Sequence, residues 1–109
     1  MLPGPILVEV DYWCVRNGLS LAFDELLRDV KRGAYEIEEV SSADRDRILE
    51  LRATYRDLRI GYVDAAVLTI VERLGERKLA TLDRRHFAVM RPRHVAALEL
   101  LPIPVRTAR

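Results

Sequence analysis

The sequence predicts a single α/β domain, a layered sandwich of helices around a mostly parallel sheet. Three observations predict it. Segments of helical periodicity alternate with short apolar runs of strand length, the pattern of layered α/β architecture. The 109 residues are 50% apolar and 32% charged, which suits one soluble core and excludes a disordered tail or a fibrous repeat. Proline, glycine and capping residues divide the chain into elements of ordinary length.

Taken in order, Pro3-Gly4-Pro5 precedes Ile6 to Val15, and proline at a first helical position is pre-set for helix geometry and loses no hydrogen bond. A helix is expected over about 5–15, although its β-branched content also permits a strand. Asn17-Gly18 turns the chain, and Leu19, Phe23, Leu26 and Val30 recur at helical spacing until Gly33 supplies a C-cap. Tyr35 to Val40 alternates apolar with acidic residues, which suits an edge strand with one wet face. Ser41 with Asp44 three residues on resembles a capping box, and Ile48, Leu51, Tyr55 and Leu58 mark one face of the next helix. After Gly61, Val63 to Leu74 is apolar almost all round until its last turn, so this helix should be buried against a sheet and stop at Gly75. Lys78 to Leu82 reads as a strand with Asp83 just past its C-terminal end, where open α/β sheets place ligands. A basic loop follows Arg84-Arg85-His86-Phe87, and Ala97 to Leu101, before Pro102, reads as the last strand. The expected order is helix, helix, strand, helix, helix, strand, strand.

Charge is distributed unevenly. Residues 1–83 carry 12 Lys and Arg against 16 Asp and Glu, whereas residues 84–109 carry 6 against Glu99 alone. An acidic body with a basic C-terminal segment can hold cations in one place and phosphates in another, although such blocks also occur on ordinary solvated surfaces. Cys14 has no second cysteine to pair with, and the N-terminal residues have no signal-peptide pattern, so a reducing cytoplasm is expected. No run without charge or proline is longer than Ala65 to Val71, which is far short of the ~20 residues a bilayer crossing needs, so no membrane association is expected.

Three carboxylates stand where bulk solvation is not the obvious explanation: Glu9 within Ile6 to Val10, Asp64 at the start of the most apolar helix, and Asp83 after a strand. A buried carboxylate is hydrogen-bonded, paired or metal-bound, because otherwise it neutralises. Each also has a structural reading: Asp64 as a helix-dipole partner, Asp83 in an Asx turn, Glu9 beside Arg16 on a wet face. A helix N-terminus and a strand C-terminus point to the same edge of an α/β sheet, where two carboxylates can share a site. All-oxygen clusters suit Mg²⁺ or Mn²⁺, and no zinc spacing, nucleophile elbow or glycine-rich phosphate loop is present. His86 and His94 read as surface or capping groups, and Tyr12 and Trp13 as core rather than base-stacking platforms.

Gly61 to Ala66, followed by Leu79 to Phe87, resembles the C-terminal half of PIN-domain proteins, especially the VapC toxin ribonucleases. Pro5 to Val10, with its acidic residue, and the ending Ala97 to Pro102 strengthen the likeness, which runs over roughly 5–102. It implies a PIN-like three-layer α/β/α sandwich and a single domain over residues 1–109. Complete members begin with a central apolar strand ending in an aspartate. No such element is visible here, so the expected domain is incomplete at its N-terminus, with an unfilled sheet position that invites pairing with another chain. The likeness further implies a Mg²⁺- or Mn²⁺-dependent endoribonuclease, with Glu9, Asp64 and Asp83 as catalytic metal ligands and Thr81 as a supporting hydroxyl. Arg84, Arg85, Arg91 and Arg93 would hold the RNA backbone. A VapB-like antitoxin and a second copy in a homodimer are the implied protein partners. The rival reading is a non-catalytic binding module that keeps the scaffold and acts through protein pairing.

Overall fold

The computed structural model describes residues 1–81 and 85–101; the strand end expected at Leu82, the candidate ligand Asp83, the candidate RNA contact Arg84 and the tail from Pro102 lie outside the described residues. The chain is α/β, with mostly helices and two small parallel sheets. Strand β1 (Leu2–Pro3) leads into α1 (Ile6–Arg16) and α2 (Ser20–Lys31), then β2 (Ile37–Glu38) and α3 (Ser42–Thr54). A 3₁₀ turn (Arg56–Leu58) connects to α4 (Tyr62–Leu74), followed by β3 (Lys78–Ala80), α5 (Arg85–Val89) and β4 (Glu99–Leu101).

Both strand pairs are parallel, as the alternation of elements predicts. β1 pairs with β2 in the register Leu2 to Ile37, and β3 with β4 in the register Leu79 to Leu100. Among the described residues the strands form two separate two-stranded ladders rather than one sheet. β1 is an element the sequence reading missed: Leu2-Pro3 is too short for a period-two signal. Its pairing is defined by non-local hydrogen bonds, from Leu2 N to Glu36 O at 2.7 Å and Gly4 N to Glu38 O at 2.7 Å. The strand expected over Tyr35 to Val40 contracts to Ile37–Glu38 because only those residues have a partner.

The core is built on α4. Seven consecutive residues, Ala65 to Val71, are buried, which is the all-round apolar helix the sequence describes. The one polar member, Thr69, satisfies its hydroxyl by donating to Ala65 O at 2.8 Å. Gly75 ends the helix at φ +68°, a left-handed backbone that a side chain disfavours. α3 packs Ile48 and Leu51 against this helix, and Phe87 and Met90 join the same cluster from α5 and the residue after it. The Ser41 capping box is present in both directions: Asp44 N donates to Ser41 Oγ and Ser41 N to Asp44 Oδ2. Leu58, expected on the buried face of α3, is exposed, because the helix ends at Thr54 and the 3₁₀ turn rotates it away.

Tyr12 and Trp13 correct a second expectation: they are exposed rather than core, at 64% and 54%. α1 is apolar around most of its circumference, but only Cys14 is buried. Among the described residues no helix is long and apolar enough to cross a membrane.

Candidate functional site at the start of α4

Asp64 lies in the first turn of α4, whose N-cap is Gly61. A glycine offers no side chain to the free N–H groups of that turn, and the helix dipole favours negative charge there. The Asp64 carboxylate is half-buried and contacts His86: Oδ2 lies 2.6 Å from Nδ1 of the ring. Its Oδ1 meets no hydrogen-bond partner among the described residues. The contact spans 22 residues of sequence and follows from packing. Phe87 and Met90 are buried in the cluster that contains Ala65 and Ala66, so α5 is fixed on the opening turns of α4 and His86 is carried to Asp64. The sequence reading set His86 aside as a surface or capping group, and its signal was weak: a lone histidine after Arg84-Arg85.

No hydrogen bond or ion pair joins the other candidates to Asp64 among the described residues. Glu9 lies on an exposed part of α1 and makes no hydrogen bond or ion pair among the described residues. Thr81 follows β3 directly, half-buried, with its N–H donating to Leu101 O at 2.8 Å. Arg85 opens α5 and is exposed, beside His86. The Arg91 N–H donates to the Tyr55 hydroxyl at 2.8 Å while the residue stays exposed. Among the described residues no three His, Cys, Asp or Glu side chains converge, so Asp64 and His86 form the nucleus of the site.

Arg93 has a structural engagement that the sequence did not reveal. Its guanidinium pairs with Glu50, and its backbone N–H donates to Glu72 Oε2 at 2.7 Å. Glu72 also accepts two bonds from Arg47, at 2.9 and 2.8 Å. Burial pushes the Glu72 carboxyl up, but the Arg47 guanidinium and the Arg93 N–H outweigh it and hold the group below its ordinary value. On the neighbouring turn Arg73 reaches Asp44 at 3.2 Å, Glu38 at 3.3 Å and Glu39 O at 3.0 Å. Asp44 is likewise raised by burial and, on balance, lowered by Ser41 and Arg73. These two groups of charges clamp α3 to α4.

Comparison with known proteins decides the relationship. Over 88 residues the chain is 34% identical to Ribonuclease VapC26 of Mycobacterium tuberculosis, an alignment covering 80% of this chain and 64% of that protein. That identity supports a relationship with the VapC-type PIN-domain proteins. No family model matches the chain. The chain spans less than two thirds of the length of that relative. Within it, the Asp64 to His86 contact gives the expected acidic position a defined neighbour.

Proposed function

We propose that this chain acts as a metal-dependent endoribonuclease of the PIN type, the toxin of a toxin–antitoxin pair that cleaves phosphodiesters of structured RNA. The observation that carries this reading is the 34% identity to a ribonuclease over 80% of the chain. The half-buried Asp64 at an uncapped helix start supports it chemically.

In this reading Asp64, Asp83 and Glu9 hold Mg²⁺ or Mn²⁺, on strands and helices arranged as a three-layer α/β/α sandwich. When bound, such an ion lowers the pKa of a water and stabilises charge on the phosphodiester during displacement. His86 orients the Asp64 carboxylate by holding Oδ2, so that Asp64 would offer its other oxygen as a ligand. Thr81 supplies a hydroxyl beside Asp83. Arg84, Arg85 and Arg91 contact RNA phosphates, which fix position without reading sequence; Arg93, expected beside them, is engaged by Glu50 instead. A VapB-like antitoxin, a homodimer and a cytoplasmic setting complete the proposal.

The test is cleavage of mixed tRNA and structured RNA with Mg²⁺ or Mn²⁺, beside EDTA and Asp64→Asn controls. Activity lost in both controls, with an unchanged far-UV CD spectrum for Asp64→Asn, supports the reading. No cleavage by a folded sample refutes it for this chain.

One observation favours a second reading, a PIN-like module that acts by protein pairing. Val8, Tyr12, Trp13, Val15 and Leu21 are all exposed on the α1–α2 hairpin. Saturating Mn²⁺ separates the two readings, because an ion bound only by the native state raises Tm and the pairing module shows no shift.

A further inference from the structure

A second feature adjoins the start of α4. Between the end of α3 and that helix lies an open cavity of about 450 Å³, lined by Leu49, Arg52, Arg56, Arg59, Ile60 and Gly61. Leu49 and Ile60 give the lining apolar surface, and Arg52, Arg56 and Arg59, all exposed residues, give it three guanidinium groups. Elsewhere in the chain Arg28, Arg32, Arg47, Arg73 and Arg93 are taken up in ion pairs. Arg52, Arg56 and Arg59 have no ion pair or hydrogen bond from their side chains among the described residues, although Asp57 sits in the same turn. A basic residue in the last turn complements the dipole of α3, which accounts for Arg52. It does not account for Arg56 and Arg59, which lie beyond that helix.

Arg59 has a second peculiarity. Among the described residues it is the one non-glycine residue with positive φ, at +53°. Such a conformation costs a β-carbon-bearing residue free energy and persists where the surroundings impose it, often at functional sites. It presents the third arginine at the cavity beside Gly61.

We infer that this cavity is a phosphodiester subsite, in which Arg52, Arg56 and Arg59 grip the backbone of RNA next to Asp64. Gly61 both lines the cavity and caps α4, and Asp64 lies three residues further on, a rise of about 4.5 Å along the helix. The first-turn N–H groups of α4 meet no side-chain cap and add a partial positive charge at that end of the helix, beside Gly61. Guanidinium forks match phosphate oxygens bidentately, and the apolar side chains of Leu49 and Ile60 in the same open cavity suit a ribose and base between successive phosphates. The inference rests on the RNA-cleaving reading but concerns binding, which can be measured without cleavage.

The test is fluorescence anisotropy of a labelled RNA hairpin in EDTA, as a function of salt. The triple variant Arg52→Gln/Arg56→Gln/Arg59→Gln is compared with Arg28→Gln/Lys31→Gln/Arg32→Gln, which removes the same charge from the end of α2 and its C-cap. At roughly 0.7 to 0.9 per phosphate, loss of three contacts lowers the slope of log K against log salt by about two and weakens binding about 100-fold at ~0.1 M salt. The α2 variant keeps the slope. Arg59→Gly provides a check on folding, since glycine suits the positive φ: Tm is kept or raised while affinity falls about fivefold. Equal slopes for the cavity variant and the unsubstituted protein, equal loss in the α2 variant, or no RNA binding by the unsubstituted protein overturn the subsite. Metal-dependent cleavage abolished by Asp64→Asn, with binding unchanged in the cavity variant, rejects the subsite and leaves the ribonuclease reading standing. The converse pattern, binding lost in the cavity variant without any cleavage, does the reverse.

Discussion

The α3–α4 pair and the α1–α2 hairpin are built from helices of similar length, 13 and 13 residues against 11 and 12, yet they are stabilised in opposite ways. α4 buries seven consecutive residues and is tied to α3 by Arg47, Glu72, Arg73 and Asp44. α1 is about as apolar in sequence, but buries Cys14 alone, and α2 buries none of its residues. Apolar content therefore reports the capacity of a helix to be covered, and the tertiary neighbours decide whether it is. The hairpin leaves Val8, Tyr12, Trp13 and Leu21 at 54% exposure or more, which is the surface a partner would use.

The sharpest break in this comparison is Leu68→Ala. Leu68 is fully buried at the centre of α4, and its truncation should cost about 3–5 kcal/mol by denaturant unfolding, from lost transfer energy plus the cavity left behind. A loss below ~1 kcal/mol would show that the core is looser than its burial indicates.

Glu72→Ala comes next, at about 3 kcal/mol. It leaves the Arg47 guanidinium, whose side chain is 15% exposed, without its two bonds, and unpaired buried charge is costly. The same replacement should loosen the segment around Arg93, visible as faster amide exchange over residues 91–97.

Acid should act on the same clamp with a smaller effect. Asp44 and Glu72 both titrate below their ordinary values in the folded chain, so the unfolded chain binds more protons in the carboxylate range. Their contribution is complete at neutral pH and is lost as pH falls through about 4 and below. Unfolding free energy measured against pH should fall on that limb, and Glu72→Gln should flatten it.

Leu21→Ser should lie at the other end of the scale, within about 0.5 kcal/mol of no change, because Leu21 is 78% exposed. Measured as Tm against protein concentration, it also sharpens the comparison. A concentration-dependent Tm that Leu21→Ser abolishes would show that a second copy covers the hairpin.

Legibility in the sequence divides along similar lines. The α2 and α4 periodicities, the Ser41 capping box and the Gly75 stop are local signals, and the helices form at those positions. Leu2–Pro3 and the five-residue α5 have too few residues to carry a period. At the site, the position of Asp64 is readable because a carboxylate at the head of an apolar helix is anomalous. His86 is not, because its role depends on where Phe87 and Met90 pack.

The sequence by itself determined the bounds of α1, α2 and α4 to within a residue or two, the start of α3, which helix would be the most buried, and that strands would pair in parallel, because caps, glycines and apolar periods act over a few residues. Tertiary structure alone decided that His86 meets Asp64, that Arg93 is drawn to Glu50 and Glu72 while Arg52, Arg56 and Arg59 pair with none of the described residues, and that Trp13 faces outward. The physical reason is the range of the interactions. Hydrogen bonds and ion pairs between residues 20 to 40 positions apart depend on the packing of α3, α4 and α5, and no local pattern encodes which side chains that packing brings within reach.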